Sequence, residues 1–193
     1  MTSRAEPAGA IDRRTPTPGL AVTLRPFPLA AARALVAGGT VHRSDVADGA
    51  YWAEEFPSTD TIHGLALILA AYDALGTVLE REPDWWVHQI LVETRDGSAS
   101  PGRTVVGEAG FHGPPDPDGV VEIGYEVVPG WRRRGVATRA CGLLVERAWV
   151  LGARVVRAVA EPGNLASRRV LAANGFAPDP EGAGPECYRV ERP

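Results

Sequence analysis

Residues 124–140 read GYEVVPGWRRRGVATRA, a β-rich run that passes through a Pro-Gly turn and three arginines into a helix. Pro129 suits the place where a strand stops laddering, because it has no N–H to donate. Beyond it, Val136, Ala140, Leu143, Leu144, Ala148 and Leu151 recur at spacings of three and four, which predicts a helix with one buried stripe. A helix start leaves about four backbone N–H groups unpaired, and its dipole places partial positive charge there. Gly135 removes a Cβ at the turn, Ala137 keeps the first helical turn narrow, and the arginines add fixed charge. Strand, basic glycine-containing turn and helix N-terminus together make a common kind of anion site. ARVVRAVA (153–160) reads as the next strand, so the connection is a crossover between parallel strands.

The rest of the chain must fit around that unit. LAVTLRPF (20–27) reads as a first strand and LAAARALVAGG as a helix ended by Gly38 and Gly39. STDTIHGLALILAAYDAL opens on the N-cap types Ser58, Thr59 and Asp60 and continues as a largely apolar helix. DWWVHQILVETRDG, RTVVGEAGFHG and VVEIGYEVV are β-rich runs separated by polar turns, the last of them PPDPDG, and predict a consecutive antiparallel meander. NLASRRVLAANGF reads as a short helix with Asn164 as N-cap and Asn174-Gly175 as C-cap, and CYRVE as a final strand. The expected class is mixed α/β. Residues 40–58 follow neither period, and residues 1–18 are expected to form a flexible tail ahead of one domain over 19–193.

Composition narrows the function. The chain has 193 residues, 45% hydrophobic and 23% charged, with a net charge of −4. A protein that binds nucleic acid through phosphates normally has a basic surplus, so a nucleic-acid patch is a weak reading of the arginines. All twenty basic residues are arginine, which we read as codon bias in a bacterial-type high-GC genome. The most apolar stretch, LALILAAY (65–72), is shorter than the ~20 residues a bilayer requires. With no signal-peptide core at the N-terminus, a cytoplasmic protein without a membrane partner is expected. Cys141 and Cys187 show neither metal-ligand nor disulfide spacing, and Cys141 is expected to be a small buried thiol. No metal is expected. His42, His63, His88 and His112 are isolated and are read as structural or exposed.

The arginine turn is not a Walker loop, which needs a lysine, nor the dinucleotide G-x-G-x-x-G. Arg132, Gly135 and Ala137 do fit Arg/Gln-x-x-Gly-x-Gly/Ala, which resembles the acyl-coenzyme A pyrophosphate loop of the GNAT N-acetyltransferases. VVEIGYEVVPGWRRRGVATRA resembles the central strand, loop and helix of that superfamily. EPGNLASRRVLAANGF resembles the Asn/Ser segment of its branch of ribosomal-protein N-terminal (RimJ/RimL-type) acetyltransferases, and VVGEAGFHGPPDPDG the strand and turn before them. The likeness runs over about residues 20–192 and is strongest over 104–176.

That resemblance implies a GNAT fold: a mostly antiparallel sheet flanked by helices, with its parallel central strands splayed to admit the pantetheine arm. It implies an acetyl-CoA cosubstrate and direct attack of a primary amine on the thioester in a ternary complex. Backbone groups of Glu126, Val127 and Val128 would meet the thioester and pantetheine. N–H groups from Arg132 through Arg133, Arg134, Gly135, Val136 and Ala137 to Thr138 would hold the pyrophosphate, and Asn164 would contact the pantetheine arm. Ser167, or Tyr188 on the last strand, would protonate the departing thiolate.

A lysine-like amine is only about one part in 2,500 neutral at pH 7, and an α-amine about a tenth, so a positioned base matters most for the former. Glu122, Gly124 and Glu126 share one strand face by the two-residue period, with Gly124 leaving room for an amine or water. Glu122 and Glu126 are therefore both base candidates. The acceptor, a protein N-terminus or a small-molecule amine, is expected to meet residues 40–75 and the loop near 84, where Trp52, Glu54, Glu55, Trp85 and Trp86 cluster. A monomer or homodimer is expected. A non-catalytic acyl-CoA sensor of the same fold is the alternative.

Overall fold

The computed structural model describes residues 20–40, 46, 49–75, 83–94, 102–182 and 184–193, so the tail expected over 1–18 and His42 lie outside the described residues. Strand β1 (Leu20–Pro26) leads to helix α1 (Leu29–Val36), a two-residue strand β2 (Tyr51–Trp52) and helix α2 (Thr59–Leu75). The meander β3 (Val87–Thr94), β4 (Gly102–Phe111) and β5 (Val120–Val127) follows. Helix α3 (Val136–Val150), β6 (Val155–Val159), α4 (Leu165–Ala173), β7 (Ala177–Pro178) and β8 (Cys187–Glu191) complete the order.

These elements form one mixed sheet in the order β1-β3-β4-β5-β6-β8-β7, with β2 paired to β4. β3, β4 and β5 pair antiparallel in succession, whereas β5 and β6 pair parallel, as the crossover over α3 requires. Neither two-residue strand was expected. β2 lies in the aperiodic 40–58 stretch and owes its extended shape to pairing with Thr104 and Val105, and β7 to pairing with Arg189 and Tyr188.

Local chemistry explains the element ends that matter for the site. Ser58 caps α2, its Oγ accepting the Thr61 N–H at 3.0 Å. In the PPDPDG turn Asp116 Oδ1 accepts the N–H groups of Asp118 and Val120, and Gly119 takes the left-handed φ of +77° that closes the turn. Helix α3 buries Val136, Ala140, Leu144 and Ala148 of the expected stripe together with Cys141 and Val145. Leu143 and Leu151 are only partly buried against the same core. That face packs on β5, β4 and β1, and each large apolar side chain it removes from water is worth roughly 1.5–3 kcal/mol. Among the described residues no helix is long and apolar enough to cross a membrane.

Candidate active site

The β5–β6 ladder consists of three residue pairs, Val120 with Val155, Val121 with Val156 and Glu122 with Arg157. Both strands continue, β5 to Val127 and β6 to Val159, without pairing to each other. The sheet is therefore split from Ile123 onward, with β5 held only by β4 on its other side. A strand edge facing such a gap presents unpaired N–H and C=O groups in place of a neighbour.

The gap leads to the basic turn. Arg133 has φ +60° and Gly135 φ +76°, so two of the three residues before α3 are left-handed. Arg133 is the one described non-glycine residue with positive φ, a conformation that costs an ordinary side chain roughly 1–2 kcal/mol. The turn precedes the first N–H groups of α3, those of Val136, Ala137 and Thr138, which a helix start leaves without intrahelical partners. Arg133 is exposed, and the Arg134 guanidinium lies 4.9 Å from the centre of the Trp131 ring.

Three backbone expectations need correction. The Arg132 N–H donates to Pro129 O and its side-chain Nε donates to Val127 O at 2.7 Å, so this residue braces the turn from within. The Val128 N–H donates to Val106 O, and its carbonyl accepts the Trp131 N–H, so neither group is free. The Glu126 carbonyl lies against Gly107 of β4, where a Cβ would come within 2.0 Å of it. Strand alternation then turns the backbone of Tyr125 and the Val127 N–H toward the gap.

On one face of β4–β5 the register sets three cross-strand pairs in a row: Glu108 with Glu126, Gly110 with Gly124, and His112 with Glu122. Glu126 accepts hydrogen bonds from Ser58 Oγ (2.7 and 2.8 Å to its two oxygens) and from Thr61 Oγ1 (2.7 Å), which pin β5 to the start of α2. An Arg132 guanidinium nitrogen stands 4.0 Å from it. Glu108 is buried, and that burial, with the Glu126 charge opposite, raises its carboxyl from an ordinary 4.5 to about 7.

At the other end of the row His112 Nδ1 is 2.9 Å from Glu122 Oε1, both side chains being a little under half exposed. That hydrogen bond holds the Glu122 carboxyl below its ordinary range despite partial burial, with help from the His112 and Arg157 charges. The other nitrogen of the ring, Nε2, overhangs Gly124, within 2.9 Å of where a Cβ would stand. Reading His112 as an isolated residue missed this pair. The only signal for it was its even position on the strand facing Glu122, visible once the register is known.

On the opposite face, next to α3, Tyr125 OH is 2.9 Å from Ser167 Oγ and joins β5 to the first turn of α4 across the mouth of the gap. Burial drives the tyrosine hydroxyl well above its ordinary pKa, so it keeps its proton. Tyr125 was not anticipated. Tyr188, the expected alternative to Ser167, is buried on β8, and among the described residues no hydrogen bond joins it to Ser167. Asn164 caps α4, its Oδ1 accepting the Ser167 N–H at 3.0 Å. Asn174 donates to Thr138 O at 3.1 Å and ties α4 to α3. Cys141 is buried as expected, which pushes its thiol up to about 12.

The expected acceptor wall is largely scaffold. Trp86 is 4% exposed, donates to Phe27 O and meets Tyr72 edge-on, so it is a core residue and presents no surface to a substrate. Trp85 is likewise buried, edge-on to Phe111. Glu55 accepts the Gly130 N–H at 2.8 Å and so holds the start of the basic turn. Trp52 is half-buried and stacked on Phe56 at 5.0 Å, and Glu54 is exposed. His88 is buried, which lowers its pKa to about 4, and His63 is exposed, as expected.

Residues 22–177 match the family model described as an acetyltransferase (GNAT) domain. The chain is similar to the uncharacterised N-acetyltransferase YjdG of Bacillus subtilis, with 35% identity over 75 residues, or 37% of this chain. That match spans 44% of the relative's length. Among solved structures, an acetyltransferase from Agrobacterium tumefaciens aligns with a TM-score of 0.54 at 18% identity, over 98% of this chain and 100% of that one. A putative GNAT-family acetyltransferase from Desulfovibrio desulfuricans aligns with a TM-score of 0.51 at 16% identity, over 89% and 98%. The microcin C7 self-immunity acetyltransferase MccE, solved with acetyl-CoA and AMP, gives 0.50 at 13% identity over 89% and 92%. At these identities the structural likeness is one of fold.

Proposed function

The chain belongs to the acetyltransferase (GNAT) domain family, and we propose that it moves an acetyl group from acetyl-CoA to a primary amine, a protein N-terminus or a small molecule, in a ternary complex. The observation that carries this reading is the early end of the β5–β6 ladder beside the left-handed turn that opens α3. A gap of that kind takes an extended arm, whose amides pair with the exposed edge of β5 at Tyr125 and Val127. The turn takes an anion, through the N–H groups of Val136, Ala137 and Thr138 and the positive end of the helix dipole. Arg133 and Arg134 add charge at the rim. An acyl-coenzyme A has both parts in the required order, a pantetheine arm followed by a pyrophosphate.

With the thioester beside Tyr125, the amine approaches from the face that carries Gly124, and its lone pair attacks the carbonyl carbon. The C–S bond then breaks and sulfur takes the electron pair. Ser167, bonded to a tyrosine that keeps its own proton, is placed to hand a proton to the thiolate, and Asn164 lines the arm as it caps α4. Acetyl-CoA binding requires a compartment that supplies it, which fits the cytoplasm.

The test is a thermal-shift titration with acetyl-CoA, followed by a screen of amines read as thiol release. We expect saturable stabilisation of several degrees, and thiol release with at least one amine class. If acetyl-CoA leaves the melting temperature unchanged, the reading is wrong. If it stabilises the chain but no amine releases thiol, the chain is an acyl-CoA sensor.

A further inference from the structure

We propose that His112, oriented by Glu122, is the group that takes the proton from the acceptor amine. The proposal rests on the acetyltransferase reading above. Glu122 and Glu126 were the candidates from sequence, but their surroundings give them other work. Glu126 already accepts from Ser58 and Thr61 and holds α2 to β5. Glu122 is bonded to His112 Nδ1, and the same bond keeps its carboxyl ionised and therefore weakly basic.

A carboxylate on Nδ1 draws the ring proton to that nitrogen and leaves the lone pair on Nε2. Nε2 lies over Gly124, in the space that a side chain there would fill, and among the described residues it has no hydrogen-bond partner. The charged groups around the ring are Glu122 on β5, Glu126 further along β5 with the Arg132 guanidinium 4.0 Å from it, Glu108 on its own strand β4 with its carboxyl raised to about 7, and Arg157 of β6, which acts on Glu122. A base at this place matters most for an aliphatic ammonium of the lysine type, the acceptor with the least neutral amine at pH 7.

In the step, Nε2 takes one proton from the ammonium and passes it to solvent, to which the ring is open. The freed nitrogen lone pair forms the C–N bond, the C–S bond breaks, and the second amine proton is lost as the thiolate gains one on the Ser167 side. Ammonium and thioester thus give amide, thiol and one proton. His112 is the catalytic group and Glu122 a positioning residue.

The test uses the full chain saturated with acetyl-CoA and two probe amines, n-butylamine and glycinamide, whose α-amine has a pKa near 8. For His112→Gln we expect kcat/KM for n-butylamine to fall about 100-fold at pH 7 and less than about 10-fold at pH 10, where the amine sheds its own proton. The loss with glycinamide should be smaller, and added imidazole should restore part of both rates. Glu122→Gln should reproduce the fall with a shifted acid limb. Gly124→Ala, whose methyl displaces only the ring tip, should fold and show the same pH signature. The ring nitrogens of His112, read by 15N NMR in the acetyl-CoA complex, should show the proton on Nδ1. That measurement decides the matter even if neither amine is turned over. A proton on Nε2, or an unchanged pH profile in His112→Gln, would overturn the proposal. Loss of acetyl-CoA stabilisation in the unmodified chain would instead overturn the transferase reading.

Discussion

Glu108 offers the most quantitative test of the row of carboxyl groups behind β5. Its carboxyl is buried, faces Glu126 across the β4–β5 ladder, and is raised from an ordinary 4.5 to about 7. A carboxyl with a raised folded-state pKa binds its proton more tightly in the fold than in the unfolded chain. Between pH 4.5 and about 7 the folded state therefore holds more protons, and stability falls as pH rises through that window and stays lower above it. At 1.36 kcal/mol per decade the difference amounts to roughly 3 kcal/mol at its upper limit. Glu108→Gln keeps the shape and removes the charge. Below about pH 5 the variant and the parent should be equally stable. At pH 8.5 the variant should be more stable by about 2–3 kcal/mol, or roughly 5–10 °C in a chain of this size. The assay is urea unfolding at pH 4.5, 6, 7 and 8.5 with acetyl-CoA absent. A stability difference that stays constant with pH would refute the reasoning, because it would mean that Glu108 is not protonated preferentially in the fold.

Gly135→Val should cost about 1–2 kcal/mol for a side chain in the left-handed region and abolish the acetyl-CoA thermal shift without unfolding the chain; a retained shift would refute the cradle. Tyr125→Phe removes the hydroxyl that meets Ser167. It should lower kcat roughly 10- to 100-fold while the acetyl-CoA affinity changes less than about threefold, and an unchanged kcat would exclude the pair from thiol protonation. Asp179 is fully buried between Arg157 Nε at 2.5 Å and Arg189 Nη1 at 3.6 Å. Asp179→Ala removes their buried partner but leaves Arg157 and Arg189 the exposed Glu181 at 3.5 and 2.9 Å, so it should destabilise the chain by about 1–3 kcal/mol in urea unfolding; a loss under about 0.5 kcal/mol, the scatter of a surface substitution, would show the buried pair to be dispensable.

Much of this protein is written in local pattern. The antiparallel meander, the crossover helix with its buried stripe, the Ser58 and Asn164 caps and the glycine of the basic turn all follow from periodicity and from residue types that suit one backbone shape. Such features depend on neighbours a few residues away, so the chain alone determines them, and with them the left-handed glycine turn before α3. The two-residue strands β2 and β7 were illegible because their extended shape comes from a partner strand distant in sequence.

The division of labour around β5 depends on tertiary structure in the same way. The two-residue period puts Glu122, Gly124 and Glu126 on one face but is silent about what stands opposite each. The register across the PPDPDG turn sets His112 beside Glu122, and the seat of α2 places two hydroxyls on Glu126. The same strand turns Tyr125 to the other face, where α4 brings Ser167 to meet it. Periodicity and order determined a mixed α/β chain with a basic glycine turn at the start of its crossover helix. Which carboxylate is tied down, which histidine meets Glu122, and which tryptophans vanish into the core were decided by long-range packing, because those are properties of pairs that touch only after the sheet has formed.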